Sequence, residues 1–264
     1  MTYMASFEDV APTSAQTSST HSSAKGSIPG EKVLSTKDFR EAVWEMEPKI
    51  AVFDCDGTLW SPDAGSGFLK WTIDTGLLPK EAAKRINARH QAYHDGQVDE
   101  LTICGEMVQI YEGLAVSDLR ASARAYFEEK IEPHLFPEMI ALIQELQASD
   151  VEIWAVSSTN DWMIEEALQE IGITHEKILA TCVEVRDGIV SGILRDVPTD
   201  EGKAKTLRAA GISHPDVVFG NSVHDAAMLE IAKRAFPVNP SEGLQKLSVE
   251  RSWPVYYPAA IRPL

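Results

Sequence analysis

The chain is poor in cysteine, in positive charge and in long apolar runs. Its 264 residues hold three cysteines, Cys55, Cys104 and Cys182. They are odd in number and lack metal-ligand spacing, which argues against a disulfide framework and reads as reduced thiols. Only 24 Lys and Arg stand against 40 Asp and Glu, a formal charge of −16. Such a balance disfavours nucleic acid and anionic lipid as partners, and an anionic substrate then needs local compensation. No apolar run is long enough to span a bilayer, and the N-terminus lacks the charged and apolar regions of a secretory signal, so the cytoplasm is the expected location. The absence of a fixed-period repeat argues against a solenoid.

What is present centres on Ile50 to Trp60. An apolar run, Ile50 to Phe53, delivers Asp54 and Asp56 one residue apart and is broken by Gly57 and Thr58. If that run is a buried parallel strand, both carboxylates lie at its carboxyl end, where open α/β sheets place their ligands. The length fits one α/β domain with an insert or two small domains, and a single folding unit with a lid is the first expectation.

The remaining chain reads around that strand. Residues 1–31 are rich in Ser, Thr, Ala, Gly and Pro without periodicity and read as a disordered tail. Ser35 is placed to cap a short helix through Phe39 and Val43. A helical stretch over 61–133 divides at Pro79, at Gly96 and at Gly113, with Pro79 suited to a first turn and Ser117 to an N-cap. Leu101, Cys104, Val108 and Tyr111 form one apolar stripe, with Ile103, Met107, Ile110 and Leu114 beside it, the pattern of a small helical bundle set over the strand end as a lid. Pro137 opens a helix that returns to a second apolar run, Val151 to Val156, followed by Ser157 to Asn160 and a helix from Asp161. Those hydroxyls suit an anion site or plain helix capping. Asp187-Gly188 between two β-type runs is a hairpin signal. Asp200 is placed to cap a helix whose first turns carry Lys203 and Lys205, against the helix-dipole preference. Val217 to Phe219 reads as a further short strand, ending in Gly220-Asn221-Ser222-Val223-His224-Asp225, and Ala235 to Val238 and Pro254 to Tyr257 read as closing strands.

Three strand ends thus carry Asp54 and Asp56, Ser157, and Asn221 with Asp225, and Lys203 arrives separately. Each alone also reads as ordinary turn chemistry. Together they suit phosphoryl transfer through a covalent aspartyl intermediate. A carboxylate attacks phosphorus once the phosphoryl oxygens are neutralised. Mg²⁺ favours such hard oxygen ligands, Lys203 adds compact positive charge, and Ser157 offers a hydrogen bond to a phosphoryl oxygen. Asp56 then protonates the leaving oxygen and deprotonates the attacking water. Gly57 gives the loop freedom to turn between the two acids.

From Lys49 to Asn239 these signals resemble, in order and spacing, the motifs of the haloacid dehalogenase superfamily, and the helical insert resembles its phosphoserine-phosphatase-like branch. The resemblance implies a Rossmann-like parallel sheet core over 32–60 and 134–264, with an inserted all-helical cap over 61–133. It implies a nucleophile at Asp54, a general acid/base at Asp56, and Mg²⁺ held by Asp54, the Asp56 carbonyl and Asn221. Phosphate contacts fall to Ser157 and Lys203, with Asp225 behind them holding either a metal-bound water or the lysine. Two departures stand out. Asn221 replaces the usual Asp of the fourth motif, removing a negative charge. In the lid, Met107 falls where phosphoserine phosphatases carry an arginine for the substrate carboxylate, while Asp63 matches the acid that meets the substrate amine. The expected substrate is therefore a small phosphomonoester bearing an amine or quaternary ammonium and no carboxylate. Trp60, Phe68, Trp71 and Tyr111 read either as lid core or as a cation–π surface for it. A phosphomutase, or a catalytically weak phosphate-binding scaffold, remains as an alternative.

Overall fold

The computed structural model describes residues 28–261. Ten helices and eight strands alternate along them. A two-residue strand β1 (Val33–Leu34) and helix α1 (Thr36–Trp44) precede β2 (Ile50–Phe53), the run that bears the aspartates. Ser35 accepts the Asp38 N–H and caps α1, as expected. Four helices follow without a strand: α2 (Ala64–Asp74), α3 (Lys80–His94), α4 (Glu100–Gln109) and α5 (Val116–Tyr126). The chain then passes through a π turn, Phe127–Ile131, and a 3-10 turn, Glu132–His134, into α6 (Pro137–Ala148), β3 (Glu152–Asn160) and α7 (Asp161–Gln169). The hairpin β4 (Ile178–Arg186) and β5 (Ile189–Asp196) comes next, then α8 (Glu201–Ala209), β6 (Val217–Gly220), α9 (Ala226–Glu230), β7 (Arg234–Pro237), α10 (Glu242–Arg251) and β8 (Val255–Tyr256).

Six strands form one sheet in the order β5-β4-β3-β2-β6-β7, parallel throughout except for the antiparallel β4–β5 pair. This is the expected α/β class: a Rossmann-like parallel sheet with helices on both faces. The strand β2 is central because its four residues are apolar on both sides. Ala51 and Phe53 enter one hydrophobic cluster with Phe39, Leu142, Trp162 and Phe219, and Val52 enters the other with Val156, Leu207, Val218 and Met228. Period-two alternation therefore feeds two cores at once, the signature of a strand covered on both faces. In register, Phe53 stands beside Ala155 on β3 and Phe219 on β6, so β2 and β6 end together while β3 runs on to Asn160.

The four-helix stretch leaves the sheet after Trp60 and rejoins it at Leu135, where the two residues are bridged. It is tied to the β4–β5 hairpin by main-chain bonds, Gly113 N–H to Val190 O at 2.9 Å, Val190 N–H to Leu114 O at 2.9 Å and Val116 N–H to Gly188 O at 2.9 Å. Arg120 and Arg124 reach Glu165 and Glu166 on α7 and Glu170 at its C-cap.

Several local expectations are corrected. Ala115, not Ser117, is the N-cap of α5, because the Val116 N–H is already taken across the hairpin by Gly188. Asp200 precedes α8 with φ of +49° and makes no cap bond; its carboxylate turns to His224 instead. Leu101 is 55 % exposed and not part of the inward stripe. The Val255–Tyr256 strand does not extend the main sheet but pairs with Val33–Leu34. Residues 1–27 of the expected tail lie outside the described residues. Its last residues are ordered, with Glu31 accepting the Tyr257 hydroxyl at 3.0 Å.

Candidate active site

The loop from Asp54 to Trp60 is a tight return. Asp54 N–H continues the sheet onto Phe219 O at 2.9 Å, Leu59 N–H folds back to Cys55 O at 2.8 Å, and Gly57 N–H meets Trp60 O at 2.8 Å. Gly57 has φ of +75°, and a Cβ there would lie 1.8 Å from Asn221 Nδ2. Its function is thus close approach at a left-handed position, a correction to the flexibility expected for it.

The two aspartates receive different partners. Asp54 Oδ1 accepts the Lys203 ammonium at 2.7 Å and Oδ2 accepts the Thr58 hydroxyl at 2.8 Å. Lys203 is buried and also donates to Asp225 Oδ1 at 2.5 Å and Val156 O at 3.3 Å. Asp225 Oδ2 accepts the N–H groups of Asn221 and Ser222 at 2.8 and 2.9 Å. Asp225 thus holds the lysine and its own loop, the lysine contact being one of the two expectations for it. Asp56 has no lysine. Its Oδ1 accepts Trp60 Nε1–H at 2.7 Å and Ala64 N–H at 2.8 Å, and its Oδ2 accepts the Thr159 hydroxyl at 2.8 Å. Burial pushes Asp54 up to about 6, Asp225 adding to the rise while Lys203 opposes it. Burial also pushes Asp56 up to about 7, Asp63 adding to the rise against the Ala64 and Thr159 bonds. Lys203 is held above its ordinary range: burial disfavours its charge, but Asp225 and Asp54 outweigh that.

Both aspartates open into a cavity of about 400 Å³ that is also lined by Asp63, Lys203, Asn221 and Met107. The sequence thus brings these six to one place. Asp63 lines the wall while capping α2, its Oδ1 accepting Ser66 N–H at 2.7 Å. Ser157 is buried and its Oγ accepts Thr159 N–H at 3.1 Å; Ser158 and Thr159 line the cavity in its stead. Lys205 is exposed. The proposed aromatic surface is not there: Trp60, Phe68 and Tyr111 are buried and Trp71 packs edge-on to Tyr126. Phe68 and Tyr111 lie 5.9 Å apart within the insert's core, so these rings are packing.

Other residues were not anticipated. Thr58 and Thr159 orient the two aspartates, although each looked like a turn residue. Asn239 donates to Gly57 O at 3.2 Å, and His90, Tyr93, Glu100 and Cys104 complete the helical wall. Only Thr159, as part of a polar strand end, gave a signal.

For a metal, no group of three or more His, Cys, Asp or Glu side chains among the described residues suits one. The expected donors are instead Asp54, the Asp56 main-chain carbonyl and the Asn221 amide. Asn221 packs directly on Gly57, beside that carbonyl, in the space a Cβ would fill. The set is all oxygen and suits a hard cation.

The profile of the haloacid dehalogenase-like hydrolases matches residues 51–230. The chain belongs to that family. It is a hydrolase whose curated relatives include a histidinol-phosphatase of Neisseria meningitidis, 26% identical over 78% of this chain and 97% of the relative. A probable phosphatase of Mycobacterium tuberculosis is 28% identical over 78% of this chain and 74% of its own length. Among solved structures, a Bordetella pertussis protein of unknown function superposes with a TM-score of 0.69 at 24% identity, covering 78% of this chain and 97% of that one. A phospho-aspartyl intermediate analogue of phosphoserine phosphatase superposes with a TM-score of 0.53 at 15% identity, over 80% and 93%. These two likenesses concern the fold.

Proposed function

We propose that the protein is a Mg²⁺-dependent phosphomonoesterase working through an aspartyl-phosphate at Asp54, on a small nitrogen-bearing phosphate ester. The observation that carries this reading is the unequal provision of the two aspartates. Asp54 holds a buried ammonium and a hydroxyl, which keep it anionic and aimed, as a nucleophile requires. Asp56 holds no cation and is pushed up to about 7, chiefly by burial, so it exchanges a proton near neutrality, as a general acid and base requires.

In the first step a bond forms between an Asp54 oxygen and phosphorus as the ester oxygen departs with a proton from Asp56. In the second, Asp56 takes a proton from water, whose oxygen displaces Asp54 from phosphorus. Lys203 shields the charge that gathers on the phosphoryl oxygens. Ser157 is buried behind the wall and, with its Oγ accepting the Thr159 N–H, supports the strand end that meets the phosphoryl group. Asp54, the Asp56 carbonyl and Asn221 would hold Mg²⁺, which when bound neutralises phosphoryl charge as the two anions meet.

The substrate class follows from the wall. Lys203 is the only Lys or Arg among the described lining residues, and it is occupied by Asp54 and Asp225. Among the described residues a substrate carboxylate would find no free Lys or Arg, whereas an amine faces Asp63. Histidinol phosphate, named in the Neisseria relative, is such an ester: it carries amine and imidazole and lacks a carboxylate. The test is phosphate release from histidinol phosphate, aminoalkyl phosphates and phosphoserine, with Mg²⁺ and with a chelator. Turnover of the nitrogen-bearing esters that disappears with chelator is expected. No release from any phosphomonoester by folded protein overturns the proposal.

A further inference from the structure

The helical wall contains one carboxylate that nothing above uses. Glu100 opens α4, behind the Asp99 cap, and lines the same cavity as Asp54 and Asp63. A helix first turn favours an acid, and that would explain a solvated glutamate. Glu100 is not solvated: its side chain is only 16 % exposed. Oε1 takes the weak Cys104 thiol at 3.5 Å. Oε2 is sealed from solvent and makes no hydrogen bond of ordinary geometry, although the Tyr93 hydroxyl lies close enough to the carboxylate to interact with it. His224 Nε2 stands 3.8 Å from it, beyond hydrogen-bond reach, while His224 Nδ1 is engaged by Asp200 Oδ1 at 2.8 Å. Burying a carboxylate oxygen without a donor is unfavourable, and such a group in a ligand cavity is suited to a donor that arrives with the ligand. The last torsion of a glutamate is soft, so either oxygen can be turned into the cavity.

Asp63 and Glu100 act on one region. Both press on His90, Tyr93 and Cys104, which line the cavity too. Burial, followed by the neighbouring His94, holds His90 below its ordinary value despite both acids, so this imidazole does not neutralise them. At the phosphoryl end, Asp54 has Lys203; at the helical end, two acids face the cavity with no Lys or Arg beside them among the described lining residues.

We propose that Glu100 is a specificity-determining residue, receiving together with Asp63 the cationic nitrogen of the substrate. The inference rests on the phosphomonoesterase reading and adds a second carboxylate, from a different helix, to the Asp63 contact. It selects esters whose protonated nitrogen replaces the missing basic partner, and it disfavours esters that bring a carboxylate to the same wall.

The test compares kcat and KM for 2-aminoethyl phosphate, glycerol phosphate and phosphoserine in the wild type and in Glu100→Gln, with thermal unfolding as the folding control. Wild type should prefer 2-aminoethyl phosphate. The variant should lose about tenfold or more of kcat/KM on that ester through KM, with glycerol phosphate within about twofold. Free ethanolamine should inhibit wild type competitively and the variant at least about tenfold more weakly. Equal losses on all three esters, a wild-type preference for phosphoserine, or unchanged ethanolamine inhibition in the variant would overturn the role of Glu100 and leave the phosphatase reading standing. Failure of the wild type on every ester overturns both. Should Glu100→Gln fail to fold, Glu100→Asp provides the same comparison, retaining the charge and shortening its reach: a loss on 2-aminoethyl phosphate alone supports the inference, and a uniform loss overturns it.

Discussion

The two ends of β2 hold aspartates in opposite circumstances. At the amino end, Asp216 Oδ2 accepts the N–H groups of Lys49 and Ile50 at 2.8 and 2.9 Å, and Oδ1 meets Lys233 at 2.6 Å. Burial works to raise this carboxyl, but Lys233 and the two N–H groups outweigh it and hold it below the usual carboxylate range. At the carboxyl end, Asp54 and Asp56 are raised instead, to about 6 and about 7, with burial the largest cause. The difference lies in the surroundings: Lys233 is 60 % exposed at the sheet edge, whereas the cation facing Asp54 is shared with Asp225 and Asp56 has none. A carboxylate whose partners match its charge is a fastener. One kept in surplus charge is held ready for a phosphoryl group, a metal ion or a proton.

The largest expected effect comes from erasing that surplus at Asp54. Asp54→Asn keeps the shape and removes the nucleophile, so phosphate release should fall by about three orders of magnitude or more. Folding should be little changed, because Asp225 still pairs Lys203. Substantial residual turnover in a clean preparation would rule out the covalent route. Asp56→Asn should be graded by leaving group. With an alkyl phosphate the loss should be about 10²–10⁴-fold, and with an aryl phosphate, whose phenolate departs without a proton, clearly smaller. Equal losses on both esters would remove Asp56 from the proton-transfer role.

The proposed catalytic end was legible because its polar groups are compressed into short stretches at one sheet edge. Asp54 and Asn221 each follow a strand directly, with Asp56 and Asp225 in the loops just beyond, and β-strand periodicity fixes where a strand end points. Lys203 was legible as a lysine set against the helix dipole. The substrate end was not, because it depends on the rotation of helices relative to one another. Leu101 read as inward and is exposed, while Glu100 beside it carried no signal in the sequence and faces the cavity. The apolar stripes could not fix this, since α4 packs on α3 and on the β4–β5 hairpin at once. The same hairpin displaced the cap of α5 from Ser117 to Ala115. Asp200 likewise followed its local pattern only in part, with its carboxylate drawn away by His224.

The smallest effects test the fastening end. Asp216→Asn retains an acceptor and loses the charge, and should cost about 1–3 kcal/mol of stability with kcat unchanged. The pH dependence should separate the two ends by sign. Asp216 is depressed in the fold, so its contribution is complete above the ordinary carboxylate range and is lost as the pH falls through its folded value. The substitution should therefore flatten the acid limb of the unfolding profile. Asp56 is raised, so its protonated form favours the fold at low pH, and that contribution declines as the pH climbs from the ordinary range through about 7. In metal-free protein, Asp56→Asn should remove up to about 1.4 kcal/mol per pH unit of downward slope across that window. Urea unfolding at several pH values measures both. If Asp216→Asn altered the neutral limb, or Asp56→Asn the acid one, the contrast between a matched and a surplus carboxylate would not hold.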